Sequence, residues 1–160
     1  SGWVKRTQIN TTHRFFTGAA AASDDGFTAI YFSSSNELNI GGYTVNFRVS
    51  NSVYRDCSAW YHIVITADLD NASNALKFRA WVNNTEVTWT STSTNPATTG
   101  INSTGAHAIG AQDDFSVITS YLNGYLANIH FIDGQALTPS SFTETDATTG
   151  QLIPKTYTGS

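Results

Sequence analysis

The chain has 160 residues, enough for one domain that buries roughly 70% of its unfolded surface. Only 12% of residues are charged and the net charge is −4, so there is no clustered basic face for nucleic acid. No apolar run is long enough for a membrane-spanning helix, and the single cysteine, Cys57, rules out an intrachain disulfide. Cys57, just ahead of the apolar run at Trp60, reads as a buried small hydrophobe.

Period-two alternation broken by turn residues recurs along the chain and predicts strands. The first candidates are Trp3 to Ile9 and His13 to Gly18, followed by a polar loop containing Asp24-Asp25-Gly26. Phe27 to Ser33 and Glu37 to Ile40 come next, and Gly41-Gly42 turns into Tyr43 to Ser50. In that last segment Tyr43, Val45, Phe47 and Val49 form the expected core face, and Thr44, Asn46, Arg48 and Ser50 the solvent face. Trp60 to Asp68 is apolar enough for the centre of a sheet. Leu76 to Val82 and Glu86 to Thr90 are joined at Asn83-Asn84, residues suited to a tight reversal. The Ser/Thr/Asn-rich loop from Ser91 to Gly105 is long enough to suggest function. His107 to Ala111 follows, and Asn123-Gly124 predicts a tight closing hairpin. After it Tyr125, Ala127, Ile129 and Phe131 point one way, and Leu126, Asn128, His130 and Ile132 the other. Asp133-Gly134 ends that strand, and Pro139 to Phe142 fits one helical turn ahead of a polar tail. About ten strands without an amphipathic helix predict an all-β fold, two antiparallel sheets packed as a sandwich.

The segments WVKR, WYHIVITADLD, LKFRAWVNNTEV and NGYLANIHFIDGQALTP together resemble the concanavalin A-like lectin/glucanase superfamily, in its laminin-G-like branch. FIDGQALTP, with ETDATTG and IPKTYTG behind it, is similar to segments of structural proteins of tailed bacteriophages. The resemblance implies a laminin-G-like jelly roll spanning residues 1–160 as one domain. It also implies a non-enzymatic virion surface protein (a capsid decoration, fibre or tail appendage) that adheres to glycans of a host or its environment. Partners would be other virion proteins, further copies of the chain, as in a homo-trimer, and cell-surface polysaccharide. The alternatives are a capsid-covering module with no glycan ligand, or the carbohydrate-binding accessory domain of a secreted, extracellular bacterial protein. The absence of methionine and an opening that reads as mid-strand suggest a segment of a longer chain, and whether the sandwich closes within one chain stays open.

The superfamily's glycosidases place two carboxylates on one strand, flanking the glycosidic bond. Here Glu37, Glu86 and Glu144 lie in separate segments, and Glu144 with Asp146 falls in the polar tail, which solvation explains. No G-x-S-x-G elbow occurs, and His13, His62, His107 and His130 lack metal-ligand spacing, although His62 and His130 sit on strands that could be neighbours. Calcium-binding relatives use loop oxygens at a sandwich rim. Asp113-Asp114 is the first candidate pair for calcium, with Asp24-Asp25 and Asp68 with Asp70 behind it; ordinary solvation serves equally well. For sugar, Trp81, Trp89 and Tyr121 are the candidate platforms, Trp81 through its position opposite Phe78 and Val82. The plainer reading is that these rings cover a sheet or a subunit interface. The Asn-x-Ser/Thr sequons at Asn10, Asn71, Asn83 and Asn102 arise readily in so Thr- and Asn-rich a chain.

Overall fold

A computed structural model describes residues 1–92, 94–115 and 117–159. Its strands are β1 (Gly2–Arg6), β2 (His13–Ala19), β3 (Phe27–Phe32), β4 (Glu37–Gly41), β5 (Asn46–Val53), β6 (Tyr61–Ala67) and β7 (Phe78–Val82). The remainder are β8 (Thr85–Glu86), β9 (Ala106–Ile109), β10 (Gln112–Asp113), β11 (Ile118–Thr119), β12 (Gly124–Ala127), β13 (Thr143–Thr145) and β14 (Leu152–Pro154). Two antiparallel five-stranded sheets result, ordered β12-β1-β6-β7-β8 and β5-β4-β3-β2-β9, with β10-β11 and β13-β14 as separate two-stranded hairpins. The chain is thus an all-β sandwich.

Between the sheets lie Val4, Ile63, Ala80 and Val82 from one side and Phe15, Ile30, Phe32 and Leu38 from the other. Fully burying each of the larger side chains contributes roughly 1.5–3 kcal/mol. β6 occupies the middle of its sheet, as the apolar run starting at Trp60 predicts. Asn83 and Asn84 both take left-handed backbone (φ 49° and 65°), so the reversal between β7 and β8 forms where expected. Residues 139–141 form the helical turn anticipated at Pro139.

Several expectations are corrected. Asn123-Gly124 does not close a hairpin: β12 pairs with β1, Arg6 opposite Gly124 and Trp3 opposite Ala127. A left-handed Asn128 (φ 49°) then ends the strand, so Ile129 to Ile132 is not part of it. The segment from Tyr43 starts as a turn, with Tyr43 and Val45 exposed, and the strand begins only at Asn46. Register shifts between β4 and β5 undo the alternation, so Arg48 and Ser50, placed on the solvent face by the sequence, are buried. The segment after Glu86 leaves its sheet, and Trp89 bridges to Ser50 on β5. Cys57 sits half-buried in a bend. The tail is a structural element as well: Phe142 packs on Val64 and Trp81, covering the outer face of the first sheet.

Arg48 is fully buried without a carboxylate partner. Its Nη1 donates to the carbonyls of Phe47 (2.7 Å) and Thr94 (3.0 Å), and its Nη2 to Asn74 O (2.7 Å) and Asn95 Oδ1 (2.8 Å). The guanidinium also stands 5.4 Å from the centroid of Phe78, a ring stacked on Phe47. The planar fork reaches four acceptors that an ammonium cannot serve together. Removing it leaves buried carbonyls unpaired, at a cost of about 2–4 kcal/mol. We therefore expect Arg48→Ala to lower Tm by about 10 °C and Arg48→Lys to recover only part of the loss, measured by thermal denaturation; an unchanged Tm in Arg48→Ala would contradict this role. Phe142→Ala should cost about 3–4 kcal/mol and, by uncovering Trp81, shift tryptophan emission to the red; emission identical to the parent would show that the tail does not cover that face.

Candidate functional site

A shallow pocket of about 240 Å³ opens at the β2-β9 edge, lined by Phe16, Asn102, Ser103, His107 and Phe131. Each residue arrives by a different route. A register shift between Arg14 and Phe16 sends Phe15 into the core against Phe32 and brings Phe16 to the sheet edge. His107 lies opposite Gly18 on β2, so no side chain crowds it from that position. Phe131 follows the break at Asn128 and stacks on Phe16, the centroids 5.8 Å apart and the planes 17° from parallel. Its ring remains 52% exposed.

The polar side comes from the long loop. Ser103 Oγ donates to Gly100 O at 2.7 Å, Thr99 Oγ1 donates to Ile101 O at 2.9 Å, and Gly100 N donates to Thr28 Oγ1 on β3 at 3.2 Å. Gly100 is required there: a Cβ would come within 2.1 Å of Gly18 O, so only a bare backbone seats the loop on β2. Asn102 takes φ 57° and donates from Nδ2 to Asp133 Oδ1 at 2.7 Å, fixing the carboxylate beside the Phe131 ring. His107 Nδ1 donates to Gly105 O at 2.9 Å, which leaves Nε2 as an acceptor. The site thus joins an exposed aromatic face to a carboxylate, an amide, a hydroxyl and an imidazole. Such a set can stack on an apolar ring face and exchange hydrogen bonds with hydroxyls around its rim.

The residues singled out from sequence are not brought together. Trp81 is buried at 7% exposure, under Phe142 and with the Arg79 guanidinium 4.6 Å from its ring, which corrects its expected exposure. Trp89 is half-buried and packs between the sheets. Tyr121 is exposed, its hydroxyl donating to Ile118 O at 3.1 Å. Asp113 lies in β10, where its backbone N–H donates to Thr17 Oγ1, and Asp114 faces Arg14, attracting that cation. Among the described residues no three His, Cys, Asp or Glu side chains gather into a metal-holding group. Asp24 accepts from Thr44 N and Oγ1 (2.6 and 2.7 Å), and Asp25 from Ala97 N (2.6 Å), so these carboxylates pin loops.

The glutamates are equally separate. Glu86 forms a two-point pair with Arg79 (2.7 and 2.8 Å), whose hydrogen bonds hold its carboxyl below the usual range. Glu37 accepts from Ser33 Oγ at 3.0 Å, and Glu144 is exposed on β13. Asp146 accepts from the backbone of Thr149 (2.7 Å) and Thr148 (3.1 Å) to close a turn. His62 and His130 do come near each other around Ser1: His62 Nε2 is 2.9 Å from Ser1 Oγ, and His130 N donates to Ser1 O at 2.8 Å. Of the pocket residues, the length of the 91–105 loop was the one signal in the sequence; Phe131 read as a strand residue and Asp133 only as a terminator.

A two-sheet sandwich carrying a loop-built, aromatic-and-amide pocket at its rim is the architecture of lectin-type domains. The family comparison agrees: a laminin-G family model (Laminin_G_3) of the concanavalin A-like lectin/glucanases superfamily matches residues 1–141, and the chain belongs to this family. No curated protein and no solved structure matches it. No helix among the described residues is long and apolar enough to cross a membrane.

Burial, followed by the charges of the Ser1 amino group and His130, pushes His62 down to about 4 from 6.5. A base depressed on folding contributes stability above its ordinary value and loses it as pH falls toward the folded one. Stability should therefore decline between pH 6.5 and about 4, with His13, also lowered by burial, adding to the slope. His62→Gln should make that decline shallower in thermal denaturation across the same range, whereas an unchanged slope would place the proton uptake elsewhere.

Proposed function

We propose that the domain is a non-enzymatic carbohydrate-binding module, carried on the surface of a virion and holding it to cell-surface or environmental polysaccharide. The observation that carries the binding role is the pairing of Phe131, exposed and backed by Phe16, with the Asn102–Asp133 pair in one pocket. A pyranose would lay its C–H face on Phe131 and direct hydroxyls toward Asp133, Asn102 and His107 Nε2. The virion setting rests on the similarity of FIDGQALTP and the segments behind it to phage structural proteins. On such a particle, weak single-site affinity would be multiplied by copy number.

A second reading is favoured by one observation. Tyr43, Val45, Phe115, Val117, Ile118 and Tyr121 are all exposed, and Tyr43 and Phe115 contact edge-on at 6.0 Å. That apolar surface fits burial against virion proteins or further copies of this chain, the capsid-covering role. Calcium at Asp113 and Asp114 would serve either reading by ordering the β10–β11 hairpin, and the glycan pocket itself contains neither residue.

The test is binding of the purified domain to host-cell polysaccharide, with calcium and with a chelator. Phe131→Ala and Asp133→Ala should each weaken binding about tenfold, a loss of roughly 1.4 kcal/mol, while Tyr121→Ala should leave it unchanged. Binding lost on chelation or on Tyr121→Ala, and kept in Phe131→Ala, would move the site away from this pocket.

A further inference from the structure

A larger cavity, of about 830 Å³, lies where β6 runs past the end of β1. The β1–β6 ladder stops at Gly2 opposite Ile63, whereas β6 continues to pair with β7 through Ala67 opposite Phe78. In an antiparallel ladder, each residue points its N–H and C=O to one side, and the side alternates along the strand. His62 O accepts from Asn83 N and Asp68 N donates to Lys77 O, so the even-numbered residues of β6 address β7. Ile65 and Ala67 therefore turn their backbone N–H and C=O toward the cavity, where the ladder gives them no partner. Backbone groups facing an apolar space require one.

The surroundings define the partner. The wall toward the second sheet is apolar, with Phe15, Ile30 and Ile101, and so is the outer wall, with Leu137 and Phe142. Val64 to Ala67 offers roughly 13 Å of open edge at ~3.4 Å per residue. The far end is acidic: Asp68 and Asp70 line it, and no lysine or arginine does.

We propose that this slot is an acceptor for an extended polypeptide strand that lies in line with β1 and antiparallel to β6. The strand carries apolar side chains on both faces and a basic residue at its N-terminal end, where it meets Asp68 and Asp70. Backbone ladder bonds to Ile65 and Ala67 supply affinity, and the two apolar walls supply selectivity for β-branched side chains. A glycan or an acyl chain cannot reproduce the alternating donor and acceptor of the ladder. The slot is separate from the Phe131 pocket in the groups it uses, because Asp133 is already held by Asn102.

The probe is the N-acetylated, C-amidated peptide Lys-Val-Ile-Val-Thr-Gly, added to the whole chain and, in a second arm, joined ahead of Ser1 to raise its effective concentration. Hydrogen exchange should show the amides of Ile65 and Ala67 slowed at least tenfold, with the His62 amide unchanged. N-methylation of the peptide at the residues facing β6 should abolish that protection. Asp68→Asn with Asp70→Asn should weaken binding of the added peptide about two- to fivefold. Slowing of Ile65 and Ala67 in either arm supports the proposal. Absence of slowing in both arms, or peptide binding that leaves these two amides unprotected, overturns it. Polysaccharide binding by the parent chain is read separately, so either proposal can fail without the other.

Discussion

The organisation of this domain depends on a cation buried without a counter-ion. Arg48 sits at full burial on β5 and gives its guanidinium hydrogens to carbonyl and amide oxygens. Its acceptors include Asn74, ahead of β7, and Thr94 and Asn95 at the start of the long loop. A desolvated charge is costly unless hydrogen-bonded, and here neutral acceptors converge on it. The one ion pair among the described residues, Arg79 with Glu86, is by contrast exposed. Arg48 thus anchors one end of the loop while the close approach of Gly100 to Gly18 anchors the other. Between those fixed points the loop has little freedom, and Asn102 and Ser103 are delivered to the β2-β9 edge as a consequence.

The same logic explains why the site lies at an edge. Both sheet interiors are filled by apolar side chains, and the outer face of the first sheet is covered by Phe142 and the tail. The β2-β9 edge is where chain from four separate segments meets: β2 with its bulge, the loop before β9, β9 itself and the turn after β12. Rigid strands supply Phe16 and His107, and the turns supply Asn102 and Asp133, held by hydrogen bonds to one another. Recognition groups on loops placed by a rigid scaffold are the usual solution for binding domains.

Much of the fold was legible because strand faces and turns carry local signals. The apolar run after Trp60 identified the central strand, and Asn83-Asn84 and Pro139 marked turns through their backbone preferences. Asn123-Gly124 misled because hairpin propensity is local, whereas the partner of β12 is β1, more than a hundred residues earlier in the chain. Arg48 misled because alternation assigns faces by counting, and shifts in register break the count. Trp81 misled because its cover, Phe142, lies some sixty residues away. The pocket was least legible of all: its residues are ordinary types with no shared motif, and only the tertiary fold makes them neighbours.

The central claim is that glycan recognition occurs at the Phe131 pocket. The most direct measurement is a titration of the isotope-labelled domain with host-cell oligosaccharide, followed through backbone amide shifts. The account requires the saturating shifts to centre on Asn102, Ser103, His107 and Asp133, with the amides of Asp113, Asp114 and Tyr121 undisturbed. Saturating shifts centred on the β10–β11 hairpin or Tyr121, or no shifts with oligosaccharide that intact host cells display, would contradict it.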